Sequence, residues 1–201
     1  FCSGMDLDNL RAIAGRTQEQ SRADSETMAR LFRTLYEFPK VTIAAVNGPA
    51  IAGGCGLATL CDFTLASREA KFGYTEVRIG FIPAIVSTFL LRQVGEKQAR
   101  DFLLSGRIIS AEEAVRIGLV NEVVAHDQLP ARARELANNL LQNSPASLLA
   151  TKRLLNRFGS DELSYQISAA VEENARIRTT ADFREGVSAF LEKRNPRWTG
   201  R

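Results

Sequence analysis

Histidine is nearly absent from this sequence: His126, in AHDQ just after a strand-like stretch, is the only one. A Ser–His–Asp site would have to be built on it, and no GxSxG elbow accompanies it. The bland reading is a solvated loop histidine. Cysteine is almost as sparse. Cys2, Cys55 and Cys61 make an odd number without metal-ligand spacing, and neither histidines nor carboxylates cluster with them, so no metal site is expected. Cys55 and Cys61 sit among apolar neighbours and read as small buried hydrophobes. Such cysteine usage suits a reducing compartment, cytoplasm or organelle matrix. No apolar run approaches the roughly 18 residues of a membrane span, and no membrane partner is expected. Lys and Arg outnumber Asp and Glu only 26 to 23 and form no run, which argues against a nucleic-acid partner. The common phosphate loops are missing too: the glycine-rich segment fits neither GxxxxGK[ST] nor GxGxxG. Repeats, low-complexity tracts and long linkers are all absent. There is no initial methionine; the chain opens on FCSGMDL, which reads as the middle of a motif, with sequence expected upstream.

What is present is ordinary in bulk and unusual in one place. The 201 residues are 45% hydrophobic and 24% charged, enough to build a core without staples. Yet the most hydrophobic stretch, NGPAIAGGCGLATLCDF from Asn47 to Phe63, carries Gly48, Gly53, Gly54 and Gly56. Bare backbone there means tight packing or a ligand touching main chain. Before it, apolar residues at helical spacing predict a helix over Thr17–Phe38, ended by Pro39. VTIAAV, Val41–Val46, predicts a strand apolar on both faces, and Leu60–Ala66 the next one. This is an α/β order. Ser110 with Glu113 predicts a helix start and Gly118 its close, with a strand over Leu119–Val124. Ser144-Pro145 starts a helix that Gly159 ends, and two more follow around Glu162–Arg178 and Asp182–Lys193. The layout divides into an α/β part, 1–144, and a helical part, 145–201.

With nucleophile, metal and P-loop chemistry set aside, backbone chemistry remains. A helix N-terminus after a glycine turn offers free N–H groups to an oxyanion. CSGMDL, Cys2–Leu7, is a second such turn, and two N–H donors from two turns would make an oxyanion hole. Either turn alone reads more readily as packing than as catalysis. In KFGYTEVRIGFIPAIVSTF, Lys71–Phe89, Glu76 is a carboxylate in an otherwise apolar stretch bounded by glycine and proline. It is either an acid/base with a raised pKa or a surface residue paired with Arg78 or Lys71.

FCSGMDL, AAVNGPAIAGGCGLATLCDF and AKFGYTEVRIGFIP, in this order, resemble the crotonase superfamily, the enoyl-CoA hydratase/isomerase family. LLSGRIISAEEAVRIGLVNEVV and REGVSAFLEKRNPRW extend the resemblance over essentially the whole chain. It implies an α/β crotonase-like fold of repeated ββα units with a C-terminal helical trimerisation region. It also implies a homotrimer or dimer of trimers and an acyl-CoA substrate. No cofactor is implied beyond the coenzyme A that enters as the substrate thioester. A β-rich portion and a first helix, part of the CoA surface, precede the FCSG-like motif in the family. The resemblance implies that the N–H groups of Met5 and Gly53 form the oxyanion hole and that Glu76 is the acid/base beside the acyl α-carbon. Ser3, Asp6, Leu7, Ile51, Gly54 and Thr75 would contact substrate around them, and Phe190 and Lys193 would approach the CoA moiety.

One position departs from the pattern. Two-glutamate hydratases carry a carboxylate where this chain has Gly56, and hold the attacking water between two carboxylates. Gly56 together with TEVRIGFIPAIVSTFLLRQVGEKQAR resembles bacterial proteins assigned as methylglutaconyl-CoA hydratases. The reading implied is hydration of a 2,3-enoyl-CoA, with 3-methylglutaconyl-CoA as a candidate. A single-glutamate enoyl-CoA isomerase is the alternative, and a catalytically inactive CoA-binding or oligomeric scaffold is a further one.

Overall fold

The computed structural model describes the backbone of residues 1–201 and every side chain except those of Leu7 and Asp8. Two helices, α1 (Leu7–Ala14) and α2 (Gln18–Tyr36), lead into a stretch in which strands alternate between two sheets. β1 (Ile43–Val46), β3 (Phe63–Ser67) and β6 (Glu122–Val124) form one parallel sheet in the order β1-β3-β6. β2 (Ala50–Ile51), β4 (Lys71–Gly73) and β5 (Ile108–Ser110) form the other, with β2 parallel and β5 antiparallel to β4. Each ββ pair therefore gives one strand to each sheet before its helix. α3 (Gly53–Thr59) follows the first pair and α4 (Ala84–Ser105) the second. α5 (Ala111–Arg116), α6 (Leu129–Leu140), α7 (Pro145–Arg157), α8 (Ser160–Ile177) and α9 (Ala181–Leu191) complete the chain.

The local sequence accounts for these boundaries. Thr17 caps α2 in a reciprocal box: its Oγ1 accepts from Gln20 N at 3.2 Å and its own N donates to Gln20 Oε1 at 3.0 Å. Ser144 accepts from Ser147 N ahead of Pro145, which costs α7 no hydrogen bond at its first position. Ser110 accepts from Glu113 N, but the Glu113 carboxylate turns to Arg107 at 2.6 Å, so that cap is only half a box. The first strand starts at Ile43 rather than Val41, because Asp62 Oδ2 takes Thr42 N at 2.7 Å and Thr42 Oγ1 at 3.0 Å. The next starts at Phe63, since Leu60 N still donates to Gly56 O at 3.0 Å and prolongs α3. Leu119 and Val120 both donate to Ala114 O, which delays β6 to Glu122.

The main core lies among β1, β2 and β4, α3, α4 and α8, with Val46, Ala50, Phe72, Tyr74, Phe89 and Phe102 fully buried. Tyr74 meets Phe102 edge-on at 5.4 Å. α8 folds back along α2 and α4, and α9 packs on α1 and on the turn after β4. A second anchor is ionic: Lys152 of α7, almost wholly buried, donates to Asp62 Oδ2 at 2.6 Å and to Lys40 O at 2.9 Å. Cys55 is buried as expected, Cys61 only half-buried. His126 is exposed in a short 3-10 turn, 3.7 Å from Glu69. Among the described residues no helix is long and apolar enough to cross a membrane, and no group of three or more His, Cys, Asp or Glu gathers to hold a metal ion.

Candidate active site

The two glycine turns that the sequence marks lie against each other. Cys2 N donates to Pro49 O at 3.0 Å and Ile51 N to Cys2 O at 2.9 Å, so the N-terminal segment runs parallel beside β2. The chain then turns at Ala52, which holds φ 53° and ψ −127°, a conformation strained for a residue with a side chain. Its N–H is fixed to Gly73 O at 2.7 Å. α3 starts immediately afterwards, and its first N–H groups, those of Gly53 and Gly54, have no carbonyl one turn back to bond. A Cβ at position 54 would stand 2.1 Å from Cys2 O, so only glycine lets the two turns close. Gly4 and Met5 of one turn and Ala52, Gly53 and Gly54 of the other line a common cavity of about 620 Å³.

Glu76 enters the same cavity from the far side of β4. It opens a 3-10 turn, Glu76–Ile79, closed by left-handed Gly80, with Phe81 N returning to Glu76 O at 3.0 Å. The residue is 8% exposed, and its Oε2 has no hydrogen-bond partner. Neither Arg78 nor Lys71 pairs with it, so the surface alternative falls. Burial disfavours the charged form and pushes the carboxyl from 4.5 to about 7, with its own backbone amide pulling it back only in part. Near neutral pH it is therefore present both as acid and as base.

Position 56 is closed to a second carboxylate. A Cβ on Gly56 would meet Val86 Cγ1 at 2.7 Å and Phe32 Cζ at 3.4 Å. Val86, in the PAIVSTF stretch that opens α4, fills the space toward which a side chain at 56 would grow. The wall beside Glu76 is apolar here, made by Val86, Phe32 and Leu57.

The wall of the same cavity also carries a cation. Arg178, just past α8, is 6% exposed and lies with its guanidinium 5.2 Å from the centre of the Phe81 ring. It donates to Asp24 Oδ2 at 2.7 Å and to Asn174 Oδ1 at 2.8 Å, while its Nε has no partner. Asp24 is also held by Arg16 at 2.9 Å, and these two cations outweigh its burial and lower its pKa. Neither Arg178 nor Asn174 stood out in the sequence.

Of the residues marked beforehand, Ser3, Met5, Ile51, Gly53, Gly54, Thr75, Glu76 and Phe190 line the cavity. Asp6 does not: its Oδ1 accepts from Asn9 N at the start of α1. Lys193 does not either; it follows α9, exposed, in a left-handed conformation. The Leu7 side chain lies outside the described residues.

Comparison with known proteins gives a consistent answer. Residues 1–201 match the enoyl-CoA hydratase/isomerase family. A Thermus thermophilus protein named for enoyl-CoA hydratase is 44% identical over 198 residues, 98% of this chain and 78% of that one. The 2,3-dehydroadipyl-CoA hydratase of Escherichia coli is 36% identical over 204 residues, 100% of this chain and 77% of that one. Among solved structures, an enoyl-CoA hydratase from Mycobacterium avium superposes with a TM-score of 0.86 at 33% identity, covering 99% of this chain and 75% of that one. Sequence along the whole length and backbone geometry over nearly all of it thus agree, and the chain belongs to the enoyl-CoA hydratase/isomerase family, with a crotonase-type fold.

Proposed function

We propose that this chain hydrates 2,3-enoyl-CoA thioesters with one carboxylate, Glu76, as both base and acid. The reading is carried by that buried carboxyl, one oxygen of which has no partner, sharing a cavity with two glycine turns, one of which starts α3 with N–H groups left unbonded. The thioester oxygen accepts hydrogen bonds from Met5 N–H and Gly53 N–H, which hold the enolate as charge moves onto oxygen. Glu76 takes a proton from water as the water oxygen bonds to C3, and returns a proton to C2. The carboxyl ends as it began, and water has been added across the double bond. Relatives named as hydratases support this direction of chemistry. The candidate substrate from the sequence is 3-methylglutaconyl-CoA, and exposed Arg78 in the cavity lining suits CoA phosphates, whereas Arg194 is held by Glu185 and Glu192. Exposed Leu141, Leu154, Leu155 and Phe158, on and around α7, favour self-association, as a trimer or dimer of trimers. Three free cysteines favour a reducing compartment, cytoplasm or matrix.

The apolar filling at Gly56 and Val86 favours a second reading, an isomerase that moves one proton between C2 and C4 with the same Glu76. Incubation with crotonyl-CoA and 3-methylglutaconyl-CoA separates the two. Hydration removes the conjugated enoyl-thioester absorbance and yields a 3-hydroxyacyl product. Double-bond migration without that product selects the isomerase, and no reaction sensitive to Glu76→Gln selects the inactive scaffold.

A further inference from the structure

Arg178 is poorly accounted for by packing alone. It is a nearly buried guanidinium in the wall of a largely apolar cavity, and its Nε, itself shut off from solvent, has no hydrogen-bond partner. Buried polar hydrogens without acceptors are uncommon and costly. Its surroundings are also short of negative charge. Arg16 and Arg178 share the single carboxylate of Asp24, which leaves the cluster at +1. Asn174 adds to the imbalance. Its Oδ1 accepts from both Ser25 Oγ at 2.7 Å and Arg178 at 2.8 Å, so its amide group faces outward with donors only, and no acceptor meets it among the described residues. A positively charged cluster whose Arg178 and Asn174 line the cavity matches a carboxylate, which guanidinium recognises better than any other side chain does.

We propose that Arg178 and Asn174 receive a carboxylate at the far end of the acyl chain, so that the preferred substrates are enoyl-CoA thioesters of dicarboxylic acids. The proposal rests on the acyl-CoA reading above, whose candidate 3-methylglutaconyl-CoA carries such a carboxylate, and adds the residues that would select for it. Phe81 links the two residues: its backbone N is bonded to Glu76 O, and its ring lies beneath the Arg178 guanidinium. Glu76 and Arg178 line the same cavity, so an acyl group held at Glu76 shares its enclosure with Arg178. A neutral alkyl end would leave the cluster uncompensated, whereas a carboxylate neutralises it.

The test compares substrates of equal length: glutaconyl-CoA with pent-2-enoyl-CoA, and 2,3-dehydroadipyl-CoA with hex-2-enoyl-CoA. Expected is a kcat/KM at least roughly tenfold higher for the carboxylated member of one pair. Arg178→Met and the isosteric Asn174→Asp, which brings the cluster to neutrality, should each reduce that ratio about tenfold or more. Should Arg178→Met fail to fold, Asn174→Asp carries the test. A wild-type ratio near one, or a ratio unmoved by Asn174→Asp, overturns the proposal and leaves Arg178 as a strut between α8 and α2, whose loss would slow both substrates alike. Binding of the unreactive glutaryl-CoA and pentanoyl-CoA, followed by calorimetry, is read in parallel. If no enoyl-CoA is hydrated yet glutaryl-CoA still binds about tenfold tighter, the hydratase reading fails and the carboxylate receptor stands.

Discussion

Replacing Glu76 by Gln should make the protein more stable and less active, and the stability gain should depend on pH in a defined way. The carboxyl titrates at about 7 in the folded chain against 4.5 as its reference. A raised carboxyl pKa means that the folded state holds its proton over a pH range in which the unfolded state has lost it. Its stabilising contribution is complete below about 4.5 and is lost as pH rises through about 7. At 1.36 kcal/mol per pKa unit, the ionised carboxylate costs the fold about 3 kcal/mol above that window. The glutamine side chain has the same shape without the charge. Any fixed penalty from its amide is the same at every pH and drops out of the slope. Urea unfolding of both proteins at equal concentration, from pH 4.5 to 8.5, gives the difference directly, because all other titrating groups cancel. Expected is a gap in favour of the variant that widens by about 3 kcal/mol through the window and then levels. Hydration should fall by about 10²–10⁴ over the same series. Parallel stability curves would refute the reasoning, since they would mean that the Glu76 carboxyl is no harder to ionise in the fold than in water.

Further outcomes follow from the contacts. Gly54→Ala places a methyl 2.1 Å from Cys2 O and should cost about 2–3 kcal/mol in thermal unfolding together with most activity, whereas Gly53→Ala, whose methyl meets only Phe32 Cζ at 3.8 Å, should stay within about 1 kcal/mol. Gly56→Glu should destabilise by about 1–3 kcal/mol through Val86, and Val86→Ala should restore at least half of that in a double-mutant cycle. Lys152→Ala leaves Asp62 with only its Thr42 hydrogen bonds and releases α7 from Lys40 O, and should cost about 1.5–3 kcal/mol in urea unfolding.

The parts of the site written in local chemistry were legible in the sequence. A carboxylate in an apolar stretch, and glycines inside a hydrophobic run, mark Glu76 and Gly54 because each is costly there unless a close backbone approach or a proton-transfer role requires it. Caps were legible at Ser110 and Ser144 for the same reason: each acts within three residues of itself. Arg178 was not. It sits in ENARIRTT, which reads as a solvated helix end, and it is buried only because α8 returns to α2, meeting Asp24 at a separation of 154 residues. α4 was missed for a different reason. AIVSTFLL is apolar on nearly all sides, and the helix is buried over several faces and broken at Gly95, so no 3.6-residue rhythm marks it. The strand ends shifted where a side chain intercepted the ladder, as Asp62 does at Thr42.

The cavity joins two sets of residues with separate origins. Its reactive end is built by neighbours in sequence, the turns at 2–5, 52–54 and 75–76, each locked by main-chain contacts that tolerate little change. Asn174 and Arg178, at the close of α8, line the same cavity through side chains that carry no part of the bond-making. Divergence at such positions can therefore retune which molecules are accepted while the backbone machinery stays fixed. A single fold is thus free to explore new substrates without reinventing its chemistry.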